Sequence, residues 1–380
     1  MSQYTLPCVV YRGGTSRGIF FHEKDLPNDP EKQRQIFLQS IDAYNNLQVN
    51  GLGGGNSHTS KVVVISPSLK ENIDVNYTFY QVGIGVEVVD DRGTCGNLMA
   101  AVGAFAVDEG LVEAEYDAEF IEVSVYNTNI NKKLFLTVPL ENGEAKVAGD
   151  YYIQGLSKPG ARFRLDIFNP GGGKTGKTQP LGAVQTVKTK NGTYAVSFVD
   201  VVNPCVYVAS EALGINGTEL NSELSTRDDL LEELEEIRCD ISVQTGIADS
   251  LEAARKAPSI PKIAIVAKAQ GYKTSDGRVI NGEEVDIVTK MLSMGNFHRT
   301  FAASCLHNVA SAALLKETVP NLLSELTDCS EEQMIRIGHP EGIVEVRVRL
   351  TDNQDDVAFV GLDRTARKIM KGDLFIESIS

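Results

Sequence analysis

The sequence predicts an α+β protein of two pseudo-symmetric lobes, each a β-rich sheet or barrel around a buried central helix, with the site in the cleft between them. Three observations carry this expectation. Strand-like runs dominate the chain: Pro7–Tyr11, Gly18–Phe21, Lys61–Ile65, Tyr77–Val82, Ile121–Val125, Leu134–Val138, Tyr194–Val201, Lys262–Val266 and Val344–Leu350 are rich in Val, Ile, Tyr and Phe, and most are bounded by Gly, Pro, Asn or Asp. Two longer stretches, GNLMAAVGAFAVDEGLV after Cys95 and GNFHRTFAASCLHNVASAALL from Gly295, are apolar or small on every side and predict buried helices. Those stretches also start alike, Thr94-Cys95-Gly96-Asn97 against Ser293-Met294-Gly295-Asn296. Upstream of them, at nearly equal separations, Pro7-Cys8-Val9 matches Pro204-Cys205-Val206. Two matches in one register predict an internal duplication.

A chain of 380 residues exceeds what one compact core usually holds. The expected division is an N-terminal lobe over 1–180 and a C-terminal lobe over 181–380, with the last strand free to pack back on the first lobe. The lobes would meet at the Gly/Pro/Lys loop NPGGGKTGKTQPLG. Further amphipathic helices fit Pro30–Asn45 and Arg227–Ile237, and the acidic run Asp228–Glu236 reads as a solvated helix face.

The net charge of -15 excludes nucleic acid and an anionic membrane as partners, since both repel an acidic surface, but leaves a small anion bound by a local cluster of donors. The six cysteines, Cys8, Cys95, Cys205, Cys239, Cys305 and Cys329, are widely spaced without a CxxC. Neither a disulfide framework nor a zinc site is expected. No signal peptide and no apolar run of about 20 residues is evident, so the expected location is the cytoplasm.

Three segments carry candidate chemistry. Arg12-Gly13-Gly14-Thr15-Ser16-Arg17-Gly18 follows a strand, and its exposed N–H groups with Thr15, Ser16 and Arg17 suit a carboxylate. A hairpin turn with a solvated Arg is the plainer alternative. Gly51 to Lys61 (GLGGGNSHTSK) places Asn56, Thr59, Ser60 and Lys61 in a glycine-rich approach to a strand. It is no dinucleotide fingerprint, because a strand follows where a helix should. Burial of Lys61 beside other cations would bring its pKa toward the range of a useful base. Cys95, with Gly on both sides, opens a buried helix, where the macrodipole and free N–H groups favour a thiolate and bind carboxylates. The other five cysteines read as small buried hydrophobes. Met294 and Gly295 are the second-lobe counterparts in the matched register, and His298 and Arg299 would lie in the first turn of the second helix. Gly171–Thr178 matches G-x-x-x-x-G-K-T, yet Gln179-Pro180-Leu181-Gly182 follows instead of a helix, so nucleotide binding is rejected.

These segments together resemble the PrpF family, which includes 2-methylaconitate cis–trans isomerase, methylitaconate isomerases and 4-oxalomesaconate tautomerase. The matching stretches are RGGTSRG (12–18), GLGGGNSHTSKV (51–62), TCGN (94–97), SMGNFHR (293–299), GHPEG (338–342) and RTARKIMKG (364–372), in family order from end to end. His58, Arg17 and Glu341 depart from the family pattern. The resemblance implies the diaminopimelate-epimerase-like fold, no metal and no organic cofactor, and it assigns the family's Lys and Cys to Lys61 and Cys95.

The resulting expectation is a cofactor-independent isomerase. It moves a proton, and with it a double bond, on a small unsaturated di- or tricarboxylic acid like 2-methylaconitate. Lys61 and Cys95 are catalytic; Thr15, Ser16, Arg17, Asn56, Thr59, Ser60, Gly96, Asn97, Met294, Gly295 and His298 bind substrate. A homodimer is compatible with the sequence. The alternatives are a keto–enol tautomerase of the oxalomesaconate type, an amino-acid or hydroxyproline epimerase on the same fold, and a non-catalytic acid-binding protein. Met294, a thioether that cannot exchange a proton, argues against the epimerase, which needs a thiol from each lobe.

Overall fold

The computed structural model describes residues 3–326 and 331–377; Cys329 lies outside them. The chain divides into two compact units, Met1–Asp166 with Asp363–Ser380, and Ile167–Leu362. The division therefore falls ahead of the Gly/Pro/Lys loop, which belongs to the second unit, and the C-terminal strand belongs to the first.

In the first unit, β1 (Gln3–Gly13) and β2 (Ser16–His22) form a hairpin, and the C-terminal strand Ala366–Glu377 pairs antiparallel with β1 along its length. Helix α1 (Pro30–Ile41) starts with Pro at a position whose N–H has no partner, behind an Asp29 cap that accepts from the Glu31 N–H. It leads to β3 (Lys61–Pro67), parallel to β2, and to β4 (Val75–Val82), antiparallel to β3. After the short β5 (Val89–Asp90) comes α2 (Gly96–Asp108). Then β6 (Phe120–Asn127) runs parallel to β4, and β7 (Lys132–Glu141) antiparallel to β6.

Every residue of α2 from Gly96 to Val107 is buried, as its all-round apolar sequence requires. Phe105 packs against Tyr11 and Phe20 of the first hairpin, with ring centroids at 6.1 and 5.7 Å. The Tyr11 hydroxyl donates to Asp108 at 2.6 Å. Each such aromatic or aliphatic side chain taken from water contributes about 1.5–3 kcal/mol, so this packing fixes the helix against the hairpin.

The second unit repeats this course. Thr193–Val199 and Cys205–Ala209 form a hairpin. Helix Asp228–Gln244 precedes Lys262–Lys268, which is parallel to Cys205–Ala209 and places Lys262 opposite Cys205. Ile287–Ser293 runs antiparallel to it, the short Asn296–Phe297 follows, and then comes the fully buried helix Ala303–Leu314. Gln333–His339, parallel to Ile287–Ser293, and the antiparallel Gly342–Leu350 complete the repeat.

The duplication is present, but in a different register from the one the matched tetrapeptides suggest. Cys8 lies in the first strand of its hairpin and Cys205 opens the second strand of its own, so they are not equivalent. Gly18, one step before Ile19 in β2, falls opposite Lys61 by the β2–β3 register and holds the place of Cys205. Met294 and Gly295 do not open a helix. Both have positive φ, 56° and 79°, and form the two-residue turn of a tight hairpin in which Ser293 faces Asn296. His298 and Arg299 therefore lie outside any helix, with the His298 N–H bonded to the Met291 carbonyl. The second central helix starts at Ala303 with Ala302 at its cap. Ala302 follows Phe297 at the same offset as Cys95 follows Asp90, which makes Ala302 the counterpart of Cys95.

The loop with the nucleotide-binding pattern has a structural explanation within its unit. The Lys174 and Thr175 N–H groups and the Thr175 hydroxyl all donate to Oδ2 of Asp200, at 2.8, 2.7 and 2.9 Å. The protein's own carboxylate thus sits where the loop would cradle a phosphate.

Candidate active site

Lys61 is the first residue of β3 and only 8% exposed. Its cross-strand partner is Gln81, and Nζ donates to Gln81 Oε1 at 2.7 Å while lying 4.9 Å from the Phe79 ring centroid. Gln81 is itself oriented: Nε2 donates to the Ser60 carbonyl at 2.8 Å, which leaves Oε1 for the lysine. Among the described residues no carboxylate pairs with Lys61. Burial lowers its pKa from the ordinary 10.5, and negative charge on Cys95 acts in the opposite sense, so the two groups are within electrostatic reach.

Cys95 is the N-cap of α2 and buried. Its Sγ is 3.9 Å from Ser16 Oγ, and its carbonyl accepts from the Tyr77 hydroxyl at 3.4 Å. Asn127 donates to Thr94 Oγ1 at 2.7 Å. The segment before the helix is thus held from both sides. Next to it, Asn97 Nδ2 donates to Thr15 Oγ1 at 3.1 Å. The hairpin approaches so closely here that a side chain on Gly14 would meet Asn97 Oδ1 at 2.2 Å, and Gly14 also holds φ 50°. Ser16, Thr15, Asn97, Gly96, Cys95 and Lys61 therefore gather around the start of α2 and the neighbouring strand.

The glycine-rich loop is organised by its own polar groups. Gln48 Oε1 accepts from Gly54 N, Gly55 N and Ser60 Oγ, at 2.9, 2.9 and 2.8 Å. The Asn56 side chain accepts from His58 N at 3.0 Å and from Thr59 Oγ1 at 3.2 Å. Arg17 donates from Nη2 to the carbonyls of Leu52 and Gly53, at 2.9 and 3.3 Å. In this structure Arg17, Asn56, Thr59 and Ser60 shape the loop that leads into Lys61. Met294, Gly295 and His298 belong to the second unit, in and beside the hairpin turn.

Sequence reasoning missed Arg364, which lies in a matching stretch but received no role. It is 4% exposed. Nε donates to Asn97 Oδ1 at 3.1 Å and Nη1 to the Asp363 carbonyl at 2.9 Å. Burial lowers its pKa to about 10, with Tyr151, Asp363 and negative charge on Cys95 opposing, so it remains a cation at neutral pH. The advance signal was its place in the matching stretch RTARKIMKG, and its burial depends on tertiary packing. Gln81 and Tyr77 were missed for want of the β3–β4 register.

Chemically, the unit brings together a thiol and an amine, groups able to exchange a proton, with a guanidinium, hydroxyls and helix N–H groups, which are able to donate to an anion. Among the described residues no three His, Cys, Asp or Glu side chains are grouped to ligate a metal, and no helix is long and apolar enough to cross a membrane.

Comparison with known proteins agrees with this geometry. A family model described as PrpF protein matches residues 3–377. The 3-methylitaconate isomerase of Eubacterium barkeri is 39% identical over 378 residues, covering 99% of this chain and 98% of that one. The 2-methyl-aconitate isomerase of Shewanella oneidensis is 32% identical, covering 97% and 96%. The crystal structure of a methylitaconate-delta-isomerase superposes with a TM-score of 0.82 at 39% identity, over 99% of this chain and 97% of that one. A hydroxyproline epimerase from Agrobacterium vitis, 10% identical, shares the fold with a TM-score of 0.57 over 98% and 93% of the two chains. The two-lobed epimerase-like fold expected from the sequence is the one observed.

Proposed function

The chain belongs to the PrpF family, and from that premise we propose that it is a cofactor-independent isomerase that moves a proton on a small unsaturated di- or tricarboxylic acid, with Lys61 and Cys95 as the proton carriers. The observation that carries this reading is the buried Lys61, held by Gln81 and lowered in pKa by burial, within electrostatic reach of a thiol at a helix N-cap. A lysine in ordinary solvent is a poor base at neutral pH because it stays protonated; desolvation removes that handicap. Its named relatives are isomerases of methylitaconate and methyl-aconitate.

In the proposed reaction, one carrier takes a proton from the carbon next to the double bond. The electrons delocalise toward a carboxylate, and the anion is stabilised by donors already in place: the Ser16 and Thr15 hydroxyls and the N–H groups that open α2. The other carrier returns a proton to the far end of the allylic system, or to the same carbon after the bond has turned. The roles of base and acid are assigned to the pair and not to either residue. Arg17, Asn56, Thr59 and Ser60 support the reading as the residues that shape the loop before Lys61, and we assign Met294, Gly295 and His298 to substrate contact from the second half of the chain. The thiols Cys8, Cys95, Cys205, Cys239 and Cys305 are free, in keeping with a cytoplasmic setting.

The same pair would serve a keto–enol tautomerase, which also moves one proton between two atoms. Incubating the protein with cis- and trans-aconitate, methylaconitate, itaconates and oxalomesaconate in D2O, with proton NMR detection, separates these. Deuterium at the allylic carbon of one acid is the expected result. No exchange on any of them, or racemisation of proline-type acids, sinks the reading.

A further inference from the structure

We propose that Arg364 is the anchor that holds a non-reacting substrate carboxylate in the first unit. The inference rests on the isomerase reading for its placement beside the chemistry, and on the structure for everything else. A buried cation without a counter-charge is costly, and proteins that retain one commonly use it to receive an anion. Arg364 is close to that condition. Among the described residues no carboxylate forms an ion pair or hydrogen bond with it: Asp363 is paired with the exposed Arg162 and accepts from Arg364 at its backbone carbonyl, and the charges of Asp363 and Cys95 offset only part of the effect of burial.

The guanidinium is also fixed in direction. Nε is held by Asn97 Oδ1 and Nη1 by the Asp363 carbonyl, while Nη2 has no hydrogen-bond partner among the described residues. Asn97 in turn holds Thr15, whose hydroxyl lies at the turn before Ser16. Arg364, Thr15 and the first N–H groups of α2 thereby form one donor set, and negative charge on Cys95 is felt at Arg364. A carboxylate seated there would bring the rest of a small acid to the proton carriers. Arg17 is a weaker candidate for this task, since its Nη2 already donates to two loop carbonyls.

The test uses the full chain and tricarballylate, a saturated tricarboxylate that cannot undergo an allylic shift, so calorimetry reads binding alone. Wild type should bind it, and Arg364→Gln should weaken binding roughly 10- to 100-fold, the loss of one charge-assisted hydrogen bond. Arg364→Lys, which keeps the charge but not the fork, should fall between the two. Asn97→Asp is the variant that does not depend on losing the arginine. It supplies an internal carboxylate to Arg364, so binding should drop as far as in Arg364→Gln while the melting temperature holds or rises. Wild-type affinity in both Arg364→Gln and Asn97→Asp overturns the inference, as does a wild type that binds no polycarboxylate. If wild type isomerises an acid in the NMR panel while both variants bind normally, the anchor fails and the isomerase reading stands. If tricarballylate binding depends on Arg364 yet no acid is turned over, the reverse holds.

Discussion

Two halves of the chain run the same course of strands and helices, and most of their polar details repeat. Each opens the strand after its first hairpin with a buried lysine, Lys61 or Lys262. Lys61 donates to Gln81 at 2.7 Å, and Lys262 donates to Ser293 at 3.1 Å. Each ties the start of its central helix to the preceding hairpin turn, through Asn97 and Thr15 at 3.1 Å or through Asn203 and Ser304 at 2.9 Å. The difference lies at the helix caps, Cys95 in the first half and Ala302 in the second. A methyl group exchanges no proton. The described thiols of the second half sit elsewhere: Cys205 in its strand, where burial pushes its pKa well up, Cys239 in the helix Asp228–Gln244, and Cys305 inside the central helix. Stereocentre inversion by two thiols needs one at each cap, whereas an allylic shift needs one thiol and one other carrier. The repeated scaffold supplies lysines and clamps twice and the capping thiol once, as the proposed Lys61–Cys95 pair would need.

The largest expected effect follows directly. Lys61→Met and Cys95→Ser should each lower kcat by at least about 100-fold, the scale of general acid–base contributions. Lys262→Met should cost at least tenfold less in kcat than Lys61→Met, whatever it does to stability. Equal losses in steady-state turnover would break the comparison and make the second half a partner in the chemistry.

A second expectation concerns pH. Lys61 titrates below its ordinary 10.5 because burial disfavours its charge. The folded chain therefore releases this proton more readily than the unfolded chain, and stability should rise with pH between the lowered pKa and 10.5. The limb of the kcat/KM profile that depends on Lys61 should also lie below 10.5, rising with pH if Lys61 is the base and falling if it is the acid. Gln81→Glu, which places a carboxylate at Nζ, should move that limb upward by about one to two pH units, while Cys95→Ser should move it down by removing the opposing charge. A limb unmoved by Gln81→Glu in the pH–rate profile would show that Lys61 does not titrate in the profile.

Much of this was legible in the sequence, and the failures have physical causes. Strands and central helices were readable because burial on both faces leaves long apolar runs, and GNLMAAVGAFAVDEGLV could satisfy no other environment. The placement of Lys61 at a strand entrance and of Cys95 at a helix start was readable from their neighbours. The second helix start was misplaced because Met294 and Gly295 imitate Cys95 and Gly96 in type while adopting the positive φ values of a hairpin turn, and a non-glycine residue there carries no sequence signature. Arg364 was invisible in role because its meaning lies in an absent counter-charge, and that is a property of packing.

An intermediate effect tests the two anion cradles against each other. The one at the start of α2 is the proposed substrate site, and the one in the loop Gly171–Thr178 is closed by Asp200. Asp200→Ala should cost about 1–3 kcal/mol by removing the shared acceptor of three part-buried donors, read as a drop in melting temperature. Lys177→Ala should leave activity intact, and calorimetry should detect no ATP binding in either protein. Micromolar ATP affinity that vanishes in Lys177→Ala would reopen the nucleotide reading.

The smallest expected effect probes the register on which the comparison depends. Ala302 is half-buried at a helix cap with extended backbone, φ -63° and ψ 129°, so a cysteine there adds one sulfur without demanding a new conformation. Ala302→Cys should keep isomerase turnover within about threefold, because Lys61 and Cys95 are untouched. The introduced thiol should nonetheless be distinctive. A helix N-terminus favours the thiolate, and partial exposure admits a reagent, so iodoacetamide should alkylate the introduced thiol faster than the buried Cys205 and Cys305. Mass spectrometry of the digested protein reads this without reference to any substrate. Slow alkylation at position 302 would mean that the introduced thiol is neither accessible nor favoured as a thiolate, and the placing of Ala302 at a half-buried helix cap would fall with it. Fast alkylation with turnover preserved would leave a chain with a reactive thiol at both caps, and deuterium exchange into a saturated amino acid by that variant alone would show that the missing sulfur is what separates this isomerase from the racemases of its fold.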